Sequence, residues 1–124
     1  METYDDKAAE RIERSYQTPE IVNQRLRTLA ALALVRGESV LDAGCGTGLL
    51  LEQEARTVGR EGRAEGIDFS DAMLAHAHRR CDQLRKHQNA FQATRHWLCG
   101  ECFQRCFQAV RSSARVSGMC HGLW

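Results

Sequence analysis

The chain contains a segment in which three glycines alternate with small residues, Asp42-Ala43-Gly44-Cys45-Gly46-Thr47-Gly48. The apolar pair Val40-Leu41 precedes it, and the apolar run Leu49-Leu50-Leu51 follows it. This order is typical of a buried strand that ends in a tight glycine turn and leads into a helix. Glycine adopts positive φ without a steric penalty, and because it has no Cβ it lets a ligand lie against the backbone. We therefore predict a ligand-binding βα turn, with a purely structural turn as the alternative.

A second acid follows the glycine turn, at the end of a second short strand, in Gly66-Ile67-Asp68-Phe69-Ser70. In nucleotide-binding βαβ units, an acid roughly 20 residues after the glycine turn accepts hydrogen bonds from ribose hydroxyls. The spacing of Gly44, Gly46 and Gly48 differs from the G-x-G-x-x-G of dinucleotide dehydrogenases. No Gly-Lys-Ser/Thr follows, which excludes a phosphate-binding P-loop.

These two segments together resemble the class I S-adenosylmethionine-dependent methyltransferases. Residues 41–48 resemble the first motif of that family, and residues 66–70 resemble its second strand with the ribose-binding acid. The resemblance implies a Rossmann-like, doubly wound parallel α/β sheet, S-adenosylmethionine as the cofactor, and methyl transfer to a small-molecule acceptor. It extends over residues 10–84 and is closest in style to the branch that methylates quinone precursors, lipids or metalloid species.

The resemblance also implies which residues hold the cofactor. The turn would hold its methionine part, Asp68 would accept hydrogen bonds from the ribose hydroxyls, and Phe69 would lie along the adenine, with core packing as the alternative for Phe69. Tyr4 and Tyr16 could reach the site, with surface or packing roles as their alternative. Acceptor-site residues in this family come from later strands and the N-terminal helices, so no catalytic residue is assigned. The predicted cofactor-binding residues are Asp42, Ala43, Gly44, Cys45, Gly46, Gly48, Asp68 and Phe69.

Two helices are predicted before the glycine turn. A short polar helix covers residues 5–16. Thr18-Pro19-Glu20 begins a second helix, with Thr18 as the N-cap and Pro19 at the first helical position. Its apolar stripe includes Val22, Leu26 and Leu29, and Gly37 suits its end.

Strands are predicted over residues 39–42 and 62–68, and each is followed by a helix. The second strand has a poor composition, because Ala64-Glu65-Gly66 lacks β-branched residues. The two helices carry apolar residues at helical spacing, and the first of them ends at Gly59. The residues predicted to face inward are Leu51, Ala55 and Val58 in the first helix, and Met73, Ala77, Cys81 and Leu84 in the second.

Composition bounds the organisation and the partners. The 124 residues allow one domain at most, and a net charge of +1 gives no basis for nucleic-acid binding. The N-terminus is acidic and polar, and no apolar run is long enough to cross a bilayer, so we expect a cytoplasmic chain that does not bind membranes. We divide the chain into an N-terminal helical segment (1–36), a cofactor-binding βαβα unit (37–86) and an unpatterned, cysteine-rich tail (87–124).

The tail admits two interpretations, and it shows no strand pattern after residue 85. Its cysteines could form a zinc site in a non-enzymatic module, but tetrahedral zinc needs two well-spaced ligand pairs and only the first pair fits. We therefore predict no metal site and keep zinc as the alternative. The candidate ligands are Cys99, Cys102, Cys106, Cys120 and His121.

The other interpretation is that the tail is translated out of frame from about residue 85. Read one base later, codons for residues 97–106 permit the series Gly-Phe-Ala-Glu-Ser-Val-Phe-Asn-Ala-Val, which resembles the segment before the fourth strand of these methyltransferases. On this interpretation the enzyme is truncated and impaired, because a two-stranded unit is marginal in water.

Overall fold

The computed structural model describes residues 5–85, 92–95 and 114–117. Within these ranges the first motif of the sequence lies at the centre of a parallel sheet. The elements in chain order are α1 (Asp6–Ser15), α2 (Pro19–Leu32), β1 (Ser39–Ala43), α3 (Leu49–Val58), β2 (Arg63–Asp68), α4 (Asp71–Arg85), β3 (Gln92–Arg95) and β4 (Ala114–Ser117).

The four strands are ordered β3-β2-β1-β4, and every neighbouring pair is parallel. The chain therefore moves outward from β1 through β2 to β3, and then returns to place β4 on the other side of β1. In open α/β sheets, ligands bind outside the carboxyl ends of the strands at such a reversal. The predicted Rossmann-like parallel fold is confirmed, and it places the glycine turn at this reversal.

The strands β3 and β4 correct the expectation that no strand follows residue 85. Each is four residues long and pairs in parallel, β3 with β2 and β4 with β1. Parallel strands need no alternation of apolar and polar residues, and four residues are too few for periodicity to be recognised. The proposed zinc ligands Cys99, Cys102, Cys106, Cys120 and His121 lie outside the described residues, so the zinc alternative stays a prediction.

The main core lies between one face of the sheet and the helices α3 and α4. The inward-facing residues predicted from periodicity are confirmed, since all seven are at most 5% exposed. Val40 and Ala64 face these helices, whereas Leu41, Ala43 and Ile67 form a separate cluster on the opposite face. Because side chains alternate along a strand, Asp42 lies on the same face as Val40, toward α3.

Close packing explains why β2 contains glycine at residue 66. A Cβ added to Gly66 would lie 2.5 Å from Cδ2 of Leu51 and 2.8 Å from Cβ of Cys45. Real Cβ atoms do not approach other carbons so closely, so a larger residue would displace α3 or the glycine turn. The absence of β-branched residues at this point therefore reflects how near the first turn of α3 lies to the strand.

The helix α2 differs from its sequence prediction in two respects. It ends at Leu32, where Ala33 adopts a left-handed conformation with φ of 47°, and Gly37 lies farther on, in the turn before β1. Leu26, in the predicted apolar stripe, is 47% exposed, whereas Arg25 is buried. The guanidinium is accommodated there because two acceptors, described below, lie within reach of it.

The N-terminal helix is ordered and packs on the rest of the molecule. The carboxylate of Asp5 caps α1 by accepting a hydrogen bond of 2.7 Å from the amide of Ala8. The helix packs against α4, and α2 packs against α3. Within the described ranges, no helix combines the length and apolar character needed to cross a membrane.

Candidate functional site

The glycine turn is anchored to the end of β2 by backbone hydrogen bonds. Gly44 and Cys45 both donate their amides to the carbonyl of Ile67, at 2.8 and 3.0 Å. The amide of Gly46 donates to Oδ2 of Asp68 at 2.8 Å. The predicted turn conformation is confirmed, whereas its binding of a ligand stays a prediction, and the second motif holds the first in place.

The turn needs glycine because its backbone is left-handed at three positions. The φ angles of Gly44, Gly46 and Gly48 are 75°, 54° and 83°. Apart from its two chain neighbours, no described residue has an atom within 4 Å of the position that a Cβ on Gly44 would occupy, so the backbone there is open to a ligand. Gly48 is the N-cap of α3, and the amide of Glu52 donates to its carbonyl at 2.9 Å.

A pocket of about 410 Å³, including its open mouth, lies over the glycine turn. Three lining residues come from the N-terminal segment, namely Tyr16, Ile21 and Arg25. The others belong to β1, the turn and the start of α3: Asp42, Gly44, Cys45, Gly46, Thr47, Leu49 and Leu50.

Asp42 is the buried acid of this pocket. It is 2% exposed, and within the described residues no group donates a hydrogen bond to its Oδ1. Burial raises the pKa of Asp42 well above its usual value, and the nearby carboxylates of Glu54 and Asp68 raise it further. Glu54 is itself fully buried on α3. A cationic hydrogen-bond donor entering the pocket would satisfy Asp42 and offset this accumulation of negative charge.

Arg25 supplies a buried positive charge to the same pocket. It is 7% exposed, and its pKa is lowered by burial and, to a lesser extent, by the charge of Arg80. Nη1 donates to the carbonyl of Tyr16 at 2.9 Å, and Nε donates to Oε1 of Gln53 at 3.2 Å. A guanidinium has five N–H donors, so further donors remain for a ligand.

The predicted site residues occupy three different positions. Asp42, Gly44, Cys45 and Gly46 line the pocket, whereas Ala43 points into the cluster on the other face of the sheet. Gly48 caps α3 at the edge of the turn. The roles assigned to all of these residues stay predictions.

Asp68 lies behind the turn, and both of its oxygens are engaged. It is 6% exposed, and besides Gly46 it accepts from the amide of Ser70 through Oδ1 at 2.8 Å. Each carboxylate oxygen has a second lone pair, so Asp68 can still accept from a ligand hydroxyl. Phe69, beside it, is partly buried.

Cys45 is a packing residue of the turn. It is 8% exposed, and burial together with the neighbouring carboxylates raises the pKa of its thiol. A thiol that stays protonated is a poor nucleophile.

Sequence reasoning missed five pocket residues and considered Tyr16 with packing as the alternative. The missed residues are Ile21, Arg25, Thr47, Leu49 and Leu50. Tyr16 does line the pocket, whereas Tyr4 lies outside the described residues. Thr47 could have been found as a member of the glycine motif. No local signal marks Arg25, because its burial depends on acceptors contributed by other segments. In the part of the chain that the structure describes, no three His, Cys, Asp or Glu side chains gather as metal ligands would.

Comparison with known proteins agrees with this geometry. The family model for the methyltransferase domain matches residues 40–118. Over 51 residues, 41% of this chain, the sequence is 51% identical to 2-phytyl-1,4-naphtoquinone methyltransferase of Thermosynechococcus vestitus, and the match spans 23% of that protein.

Solved structures share the fold. A SAM-dependent methyltransferase from Aquifex aeolicus superposes with a TM-score of 0.59 at 21% identity, covering 77% of this chain and 48% of that one. Phosphoethanolamine N-methyltransferase 2 of Haemonchus contortus, in complex with S-adenosyl-L-methionine, gives 0.60 at 25% identity, covering 74% and 22%. This chain therefore spans less than half the length of these relatives. Because the family model covers more than half of the chain, including the glycine turn and Asp68 at the end of β2, the protein belongs to the methyltransferase domain family.

Proposed function

We propose that the pocket over the glycine turn binds S-adenosylmethionine and that the protein transfers its methyl group to a small-molecule acceptor. The observation that carries the proposal is that one pocket is lined by a buried acid, Asp42 on β1, and by a buried base, Arg25 on α2. The amino-acid end of the cofactor carries an ammonium and a carboxylate on one carbon. Such a zwitterion is matched by one buried acid and one buried base.

The residues present fit this cofactor. Oδ1 of Asp42 is buried and lacks a donor among the described residues, which suits an ammonium group. The spare N–H groups of Arg25 suit the carboxylate, since charge-assisted hydrogen bonds of this kind are strong. The backbone of Gly44 is open to a ligand, and Asp68 and Phe69 would receive the ribose and the adenine.

The residues contribute mainly by positioning. When bound, S-adenosylmethionine supplies a methyl group activated by its sulfonium. Asp42, Arg25 and the turn fix one end of the cofactor, which restricts the directions from which an acceptor can approach and lowers the entropic part of the barrier. Relatives whose names state a naphthoquinone or phosphoethanolamine acceptor support a small organic acceptor here. The cytoplasmic location stays a prediction from the sequence.

Binding of S-adenosylhomocysteine, compared with binding of 5′-methylthioadenosine, tests the proposal. The second compound lacks the amino-acid end, so Arg25→Gln should weaken the first about 10- to 100-fold and leave the second unchanged, because one charged hydrogen bond is lost. Isothermal titration calorimetry measures both affinities. Arg27→Gln is the matched control, because Arg27 is an exposed arginine on the same helix.

Two results would contradict the proposal. Equal weakening of both compounds by Arg25→Gln would mean that Arg25 only supports the fold. Binding of NAD by the unaltered chain, without binding of S-adenosylhomocysteine, would assign the pocket to a dinucleotide.

A further inference from the structure

Arg80 joins three parts of the molecule outside the pocket. Its Nε donates to the carbonyl of Thr47 at 3.2 Å, and its Nη1 pairs with Oε2 of Glu52 at 3.1 Å. Its Nη2 pairs with Oε1 of Glu13 in α1. We call this set, Arg80 with Glu13, Glu52 and the Thr47 carbonyl, the Arg80 clasp.

The clasp is shielded from water. The side chains of Arg80, Glu13 and Glu52 are 20%, 16% and 22% exposed. Fully exposed ion pairs contribute little, because water screens them and two long side chains must be ordered. A partly buried arginine with three partners holds its geometry better, and removing one partner leaves a charge with fewer contacts.

The clasp connects the N-terminal helix to the glycine turn. Glu13 lies in the last turn of α1, just before Tyr16, which lines the pocket. The ring of Tyr16 lies beside Gly46, since a Cβ there would be 4.0 Å from Cε2 of the tyrosine. Thr47, held by Arg80 on the other side, also lines the pocket.

Arg80 itself is not among the pocket-lining residues, so any effect on a ligand must act through α1 and the turn. Arg25 adds a second tie at the same place, from its guanidinium to the carbonyl of Tyr16. The end of α1 is thus fixed to the turn by the clasp and to α2 by Arg25.

We propose that α1 is a cover on the cofactor pocket and that the Glu13–Arg80 pair is the latch that holds it closed. In this role Glu13 and Arg80 are positioning residues that set how fast the ligand enters and leaves. The proposal rests on the proposed function, because it takes the occupant of the pocket to be the cofactor.

Glu13→Gln tests the latch with a side chain of the same shape. Opening the cover should speed both entry and release of S-adenosylhomocysteine, each by about five- to tenfold, as expected for loss of a partly buried charged pair. Stopped-flow binding measures both rates. Glu10→Gln removes the same charge from an exposed position on α1 and should change neither rate.

A residue that only supported the site would raise the release rate alone, without faster entry, and that pattern would overturn the latch.

Hydrogen exchange separates the latch from the proposed function. In the ligand-free chain, Glu13→Gln should reduce protection of the amides of residues 9–16, whereas Glu10→Gln should not. Equal protection in the two variants would overturn the latch. Failure of the unaltered chain to bind S-adenosylhomocysteine would overturn the proposed function, and loss of α1 protection would still support the clasp.

Discussion

At the scale of single residues, Asp42 is a buried acid whose neighbours include two further carboxylates, those of Glu54 and Asp68. Asp42 faces α3 with Glu54 nearby, and burial raises its pKa. An acid whose pKa is raised by folding binds its proton more tightly in the folded state. Its contribution to stability is therefore complete below the unfolded pKa of about 4 and is lost as the pH rises toward the raised value.

Asp42→Asn should stabilise the ligand-free protein at pH 7 and weaken cofactor binding. The uncharged amide avoids a buried charge, and the expected gain in free energy of unfolding is on the order of 1–3 kcal/mol. The gain should shrink as the pH falls and vanish below about 4, where Asp42 is protonated in both the folded and the unfolded state. Urea unfolding at several pH values measures it, with Asp82→Asn, an exposed acid on α4, as the control. A gain that does not vary with pH would exclude this explanation.

At the scale of elements, the sequence predicted those features that depend only on neighbouring residues. The inward stripes of α3 and α4 followed from periodicity, and the end of α3 followed from Gly59. The two motifs placed β1 and β2 to within one residue of their observed bounds. The burial of Arg25 could not be predicted, because it depends on the carbonyl of Tyr16 and the amide of Gln53. The strands β3 and β4 were missed for a related reason, since β2 and β1 supply their partners.

The end of α2 carries a strain that can be relieved. Ala33 is left-handed, a conformation that glycine adopts without the Cβ penalty, so Ala33→Gly should raise the free energy of unfolding by about 0.5–1 kcal/mol. Ala30→Gly, the same change on an exposed position inside α2, should lower it by about 1 kcal/mol. Thermal unfolding of the two variants tests this. Destabilisation by both would show that Ala33 makes contacts worth more than the strain.

At the scale of the whole molecule, the glycine turn and Asp68 at the end of β2 depend on a sheet whose outer strands come from the tail. This arrangement bears on the frame change predicted near residue 85, because strands in the tail pair with β1 and β2. A four-stranded parallel sheet buries more of the central strands than the two-stranded unit expected from the pattern alone.

The nucleotide sequence decides between the two frames. If the tail is out of frame, the shifted frame should stay open well past codon 124 and encode the remaining methyltransferase strands. Sequencing from codon 80 onward is the measurement. A stop codon soon after the shift would rule out the frame change, and the cysteine-rich tail would then be native.

The carbonyl of Ile67 in β2 accepts hydrogen bonds from two amides of the glycine turn, so the conformation of that turn depends on the pairing of β2 with β1. The glycine turn keeps this conformation only while β2 lies beside β1. Separation of the two strands would therefore also remove the ligand site, in one cooperative event. By mass action, a molecule that binds only this turn also stabilises the sheet against opening, by RT ln(1 + [L]/Kd). The fraction of chains with an assembled sheet would therefore rise as the cofactor concentration rises.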